Sequence, residues 1–117
     1  MTSANRVPAI VDGKADIVCG STTNNASRRK NVSFTVVHFM ATVRMLVRKN
    51  CGITTLKNLS SKSVVTTKGS TPVLPKANLS GSSWPAVNIK IRQDHKDAFA
   101  LLVQRNAGAF VIDDVLL

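Results

Sequence analysis

The chain has 117 residues, 44% of them hydrophobic, and carries a formal net charge of +10 at pH 7 from 16 Lys and Arg against 6 Asp and Glu. That length holds one domain with a modest core, and the apolar fraction argues against disorder. No apolar run reaches the roughly 18 residues of a membrane span, and Met1-Thr2-Ser3-Ala4-Asn5-Arg6 does not read as a signal peptide.

Asn5 is placed to cap a short helix, with Pro8 in its first turn, where a missing N–H costs nothing. Val7, Ile10 and Val11 share one face, and Gly13 ends the helix as a left-handed residue. Ala15–Cys19 reads as a buried strand, with Cys19 a small apolar core residue. The hydroxyls of Ser21, Thr22 and Thr23 follow at once, and Arg28 stands five residues after Thr23. In α/β sheets ligands bind outside the carboxyl ends of strands. A guanidinium fork among hydroxyls and free N–H groups suits a carboxylate. The plainer alternative is a polar loop with a solvated arginine.

Val32–Met40 is β-branched and aromatic and reads as an extended segment, in which His38 is a satisfied structural residue. Ala41–Arg48 continues as a strand, Lys49–Gly52 as a turn, and Ile53, Leu56 and Leu59 as a short helical or 3₁₀ segment. Ser63–Thr67 is the next strand. It leads through Lys68-Gly69 to a helix starting near Ser70-Thr71, whose free N–H groups suit a carboxylate. Lys68-Gly69-Ser70-Thr71 has the lysine before the glycine and no upstream glycine, so it is not a nucleotide-binding loop. Pro72 fits the first turn of that helix and Pro75 should shorten or kink it. Leu79–Pro85 is a loop, with Trp84 packed over the sheet edge.

Val87–Arg92 alternates as a half-buried strand, and Asp94, with Asp97 three residues on, caps a helix with Ala98, Phe99, Leu102 and Val103 on its apolar face. On its own, His95 reads as an exposed first-turn residue. Ala109–Ile112 is the last strand, ended by Asp113-Asp114. An uncompensated carboxylate there suits an ammonium group; the alternative is an Asp pair held by backbone donors.

Four ordered segments closely resemble one family. They are Cys19-Gly20-Ser21-Thr22-Thr23-Asn24-Asn25 with Arg28, preceded by Thr2-Ser3 and Asn5-Arg6-Val7-Pro8; Val64–Thr71; Asp94-His95-Lys96-Asp97-Ala98-Phe99; and Phe110–Leu117. The resemblance is to the periplasmic glutamate/aspartate-binding proteins of bacterial ABC importers, over nearly the whole chain. It implies an α/β fold, a type II periplasmic-binding-protein lobe with a mainly parallel sheet flanked by helices. Residues 1–33 would be a helix and strand of the first lobe with the start of the hinge, 34–114 the second lobe, and 115–117 the start of the return hinge.

The resemblance further implies a binding protein rather than an enzyme, in the periplasm, with L-glutamate or L-aspartate as ligand and importer permease subunits as partners, and with no cofactor or metal. It places Arg28, Thr23 and Thr71 on the α-carboxylate, Asp113 on the ammonium group, and Ser3, Arg6, Ser21 and His95 on the distal carboxylate. The sequence departs from the family at Lys68, Pro72 and Pro75, where the α-carboxylate should sit, and lacks the family's early arginine.

The competing reading is a small basic nucleic-acid-binding protein, resting on charge alone. The cations are scattered, Arg28-Arg29-Lys30 is the one run of three, and one Trp with no Tyr gives no stacking platform. An enzyme would need Cys19 or a serine with His95, and no nucleophile motif with base and orienting partner is present. Cys19 and Cys51 have no metal or redox spacing, and whether they pair stays open.

Overall fold

The computed structural model describes residues 1–70 and 87–116. Its helices are α1 (Arg6–Val11), α2 (Ala26–Arg29) and α3 (His95–Val103), and its strands are β1 (Val43–Val47), β2 (Ser63–Thr67), β3 (Asn88–Arg92) and β4 (Ala109–Asp113). Short 3₁₀ turns cover Leu56–Leu59 and Asp114–Leu116. The strands form one sheet in the order β1-β4-β2-β3. β2 runs parallel to both β3 and β4, and β1 closes the far edge antiparallel to β4. The α/β architecture expected from the sequence is present, as a mixed sheet in which two of the three pairings are parallel.

β2 and β4 are the central strands, and their residue choice follows from that. A strand covered on both faces needs an unbroken run of residues that tolerate burial. Val64, Val65, Thr66 and Thr67 of β2 are all buried, as are Ala109–Ile112 of β4. The strand period of two then divides the core. On one face, Val65, Phe110 and Ile112 meet Ala98 and Leu102 of α3. On the other, Val64, Ala109 and Val111 meet Ile53 and Leu59, the latter carried by the 3₁₀ turn. Thr66 is tolerated inside because its hydroxyl donates to Val111 O at 3.2 Å.

Local signals behave as expected where they are self-contained. The Asp94 carboxylate accepts from the Asp97 N–H at 2.8 Å and starts α3. Gly13, at φ +66°, follows α1 in the left-handed region. Asn5 precedes α1, but its side chain accepts from Thr2 N–H at 2.7 Å and does not cap the helix.

Two strand expectations are corrected. Ala15–Cys19 forms no strand, and Ile17 and Cys19 are exposed. Val32–Met40 forms no ladder either, and Val36 (86% exposed) and Met40 (89%) face outward. The reason is the same for both. A strand exists only with a neighbour to bond to, and pairing begins at Val43, where β4 lies alongside. Cys19 is therefore an exposed thiol rather than a core residue, and both cysteines are free. The helix expected from Ser70-Thr71, with Pro72 and Pro75, and the Trp84 loop lie outside the described residues.

Candidate functional site

The carboxyl ends of β2 and β4 and the amino end of α3 open on the same side of the sheet. Two further segments, Ser3–Arg6 and Ser21–Arg28, are tied to this end. Thr67, last in β2, shares a 2.8 Å hydrogen bond between its Oγ1 and His95 Nδ1. The other ring nitrogen, Nε2, lies 3.5 Å from Ser3 Oγ. Arg6 donates one terminal N–H to Ser3 Oγ and one to Thr22 Oγ1, the latter at 3.0 Å. His95 is thus fixed at both nitrogens and packs near Phe110, with ring centroids 6.4 Å apart.

Arg28 is held in the same manner. One terminal nitrogen donates to Thr23 O at 2.9 Å and the other to Gly69 O at 2.8 Å. Its own N–H is capped by Asn25 Oδ1 at 2.9 Å, which starts α2. Each terminal guanidinium nitrogen carries two N–H groups. Among the described residues, each terminal nitrogen of Arg6 and of Arg28 makes one hydrogen bond, which anchors the side chain.

Gly69 is what allows these segments to meet. It sits at φ +79°, and a Cβ there would fall 2.5 Å from Ser3 O and 2.7 Å from Ala4 Cα. The N-terminal segment therefore rests directly on the backbone after β2.

The electrostatics form one coupled group. Burial lowers the Arg6 and Arg28 guanidinium pKa values, and Asp113 opposes it; both remain cations. Burial, then Arg6, pushes the His95 imidazole below its ordinary value, against Asp94 and Asp113. His95 is therefore neutral at pH 7. Burial and the adjacent Asp114 raise the Asp113 carboxyl, against Arg6, Arg28 and His95. Among the described residues the Asp113 carboxylate has no hydrogen bond or ion pair. Two guanidiniums and one unengaged carboxylate share the site: two poles of opposite sign.

A pH dependence follows. The folded pKa of His95 lies below the unfolded one, so below about pH 6.5 the unfolded chain binds the extra proton and stability falls. The urea midpoint is expected to drop between about pH 7 and about pH 5.5, and to drop less in His95→Gln. An equal drop in the two proteins would refute this assignment. Asp113 acts with the opposite sign: its raised carboxyl pKa means that the folded chain binds the extra proton, so protonating Asp113 adds stability as the pH falls through the carboxylate range.

The structure brings Ser3, Arg6, Arg28, His95 and Asp113 to one place. Ser21 and Thr23 line the adjoining cavity of about 440 Å³, which also reaches Asp113, Phe34 and His38. Thr71 lies outside the described residues. The sequence reading did not single out Thr67 or Gly69 as site residues, and gave Thr22 no separate role. Thr67 had a usable signal, a hydroxyl at the carboxyl end of a central strand. Thr22 and Gly69 acquire their roles only through contacts with Arg6 and with Ser3 and Arg28, distant in the chain. His38, expected as a satisfied strand residue, is exposed and lies against Phe39 at 5.2 Å between ring centroids.

Comparison with known proteins identifies a family and a fold. The family described as bacterial extracellular solute-binding proteins, family 3, matches residues 1–109. The L-glutamate/L-aspartate-binding protein of Pseudomonas aeruginosa is 38% identical over 117 residues, all of this chain and 39% of its own length. The glutamate/aspartate import solute-binding protein of Escherichia coli is likewise 38% identical over the same spans. The chain therefore covers about two-fifths of the length of these relatives. Among solved structures, the cysteine-binding protein of Campylobacter jejuni superposes with a TM-score of 0.83 at 24% identity, over 97% of this chain and 44% of that one. Holo ArgBP from T. maritima gives 0.82 at 25% identity, over 98% and 50%.

Proposed function

Because the chain belongs to the bacterial extracellular solute-binding proteins of family 3, a family of binding proteins rather than enzymes, we propose that its site recognises an acidic L-amino acid, glutamate or aspartate, for delivery to the permease of an ABC importer. The observation that carries this reading is Asp113, an unengaged carboxylate in the field of Arg6 and Arg28. A zwitterion with a second carboxylate matches that set: an ammonium for the acid and two oxyanions for two anchored arginines. Arg28, with Thr23 and Thr71, takes the α-carboxylate. Asp113 takes the ammonium group. Ser3, Arg6, Ser21 and His95 take the distal carboxylate, with the His95 ring oriented by Thr67.

The assignment of residues 1–33 to a first lobe, 34–114 to the second and 115–117 to a return hinge is part of the same proposal. It draws support from the sheet and both core clusters, which lie within residues 43–113. A periplasmic setting and permease partners come with the reading as well.

An amide NMR titration with L-glutamate, with D-glutamate as control, tests it. Saturable, stereoselective shifts are expected at Ser21–Arg28, Gly69-Ser70, His95 and Asp113. Identical responses to both enantiomers, or none in a well-dispersed spectrum, refute recognition by this chain.

A further inference from the structure

The opposite end of β4 presents a second basic concavity. β1 runs antiparallel to β4, so its carboxyl end arrives beside Ala109, and β2 runs parallel, so its amino end does too. α3 returns to the same place. Three cations far apart in sequence therefore meet here: Arg48 after β1, Lys62 before β2 and Arg105 after α3. With Ser63, Asn106 and Gly108 they line a hollow of about 230 Å³.

Each cation is positioned. One terminal nitrogen of Arg48 donates to Leu102 O at 2.6 Å and Ala107 O at 2.9 Å. These bonds cover one carbonyl at the carboxyl end of α3 and one in the connection to β4, both of which would otherwise repel an anion. The Lys62 stem lies over Gly108, where an added Cβ would come within 3.3 Å of the Lys62 Cβ. Arg105 sits at φ +63°, a left-handed position that favours glycine or asparagine. An arginine there brings a charge to the hollow at the expense of backbone preference. Lys90 adds a fourth positive charge nearby through its 2.6 Å bond to Asn106 O.

Nothing acidic offsets these charges. The six acidic residues are Asp12, Asp16, Asp94, Asp97, Asp113 and Asp114, and the sequence has none between Asp16 and Asp94. None of them lines the hollow. Asp94 and Asp97 belong to the start of α3, and Asp113-Asp114 to the other end of β4.

We propose that the Arg48–Lys62–Arg105 hollow binds a phosphate group, either free inorganic phosphate or the phosphodiester of an anionic lipid headgroup. A compact oxyanion with several acceptor oxygens fits a convergent set of guanidinium, ammonium and hydroxyl donors. The site is separate from the amino-acid cleft and does not depend on that assignment.

The test is an amide NMR titration with inorganic phosphate against chloride at matched ionic strength, read at Ser63, Asn106 and Gly108 and not at the cleft. It is paired with flotation on phosphatidylglycerol and phosphatidylcholine vesicles. The variant is Lys62→Gln with Arg105→Gly. Glycine suits the left-handed position, so its urea midpoint should hold or rise. Saturable phosphate shifts are expected, with affinity falling about tenfold or more in the variant. Flotation with phosphatidylglycerol alone, reversed by inorganic phosphate and lost in the variant, identifies the lipid headgroup; phosphate shifts without flotation identify the free anion. Shifts equal in chloride, or unchanged by the double substitution, overturn the site.

Discussion

Gly69→Ala is expected to destabilise the chain by about 2–4 kcal/mol, the upper part of the range for a single substitution. Two effects add. An L-residue in the left-handed region costs about 1 kcal/mol relative to glycine. The new methyl would also stand 2.5 Å from Ser3 O and 2.7 Å from Ala4 Cα, and both are backbone atoms that cannot rotate away. Relief therefore requires the N-terminal segment to lift from the turn after β2. That movement breaks the Ser3–His95 contact and shifts the Gly69 carbonyl that receives Arg28.

Urea unfolding should show the lower midpoint, and the amides of Ser3–Arg6 and His95 should shift while those of β1 and Leu56–Leu59 do not. Gly13→Ala is the matched control. It has a similar φ of +66° and nothing within 4 Å of the added Cβ, so only the backbone cost of about 1 kcal/mol applies. Equal losses in the two variants would show that the close approach at Gly69 is not what holds the segment down.

This close approach explains which parts of the molecule could be read from the sequence. β2, β3, β4 and α3 were legible because their signals are short-range. β-branched runs, clean alternation in Val87–Arg92 and a capping Asp94 all act within a few residues. Ala15–Cys19 and Val32–Met40 carry the same kind of pattern and were misread. Composition proposes a strand, but only a neighbouring backbone makes one, and no paired strand of the described sheet lies alongside either segment.

The site divides along the same line. Arg28, His95 and Asp113 stand in segments whose words resemble a known family, so they could be named from the sequence. Thr67 and Gly69 matter through partners 28 and 41 residues away, His95 and Arg28. No local pattern encodes those distances. The Arg105 position was missed for a related reason. A left-handed arginine after a helix looks ordinary in sequence, and its company of Arg48 and Lys62 depends on the antiparallel β1 edge.

Arg28→Ala should weaken L-glutamate binding by about 10²- to 10³-fold, which corresponds to roughly 2.7–4 kcal/mol, the scale of a truncated charge-assisted pair. The loss has two sources that a second substitution separates. Arg28 brings a positive charge beside Asp113, and it bridges Thr23 O and Gly69 O through opposite ends of its fork. Lysine preserves the charge but is a point donor that cannot span both carbonyls and a carboxylate at once. If charge dominates, Arg28→Lys retains most of the affinity. If the bridge dominates, Arg28→Lys falls close to Arg28→Ala, and the geometry favours this outcome because Arg6 keeps the site positive without Arg28. Calorimetric titration of the three proteins reads the difference. Their urea midpoints should lie within about 1 kcal/mol of each other, because Arg28 lies outside both core clusters. Binding by Arg28→Ala within threefold of the unsubstituted chain would remove Arg28 from the α-carboxylate. Recognition would then rest on Arg6 and Asp113.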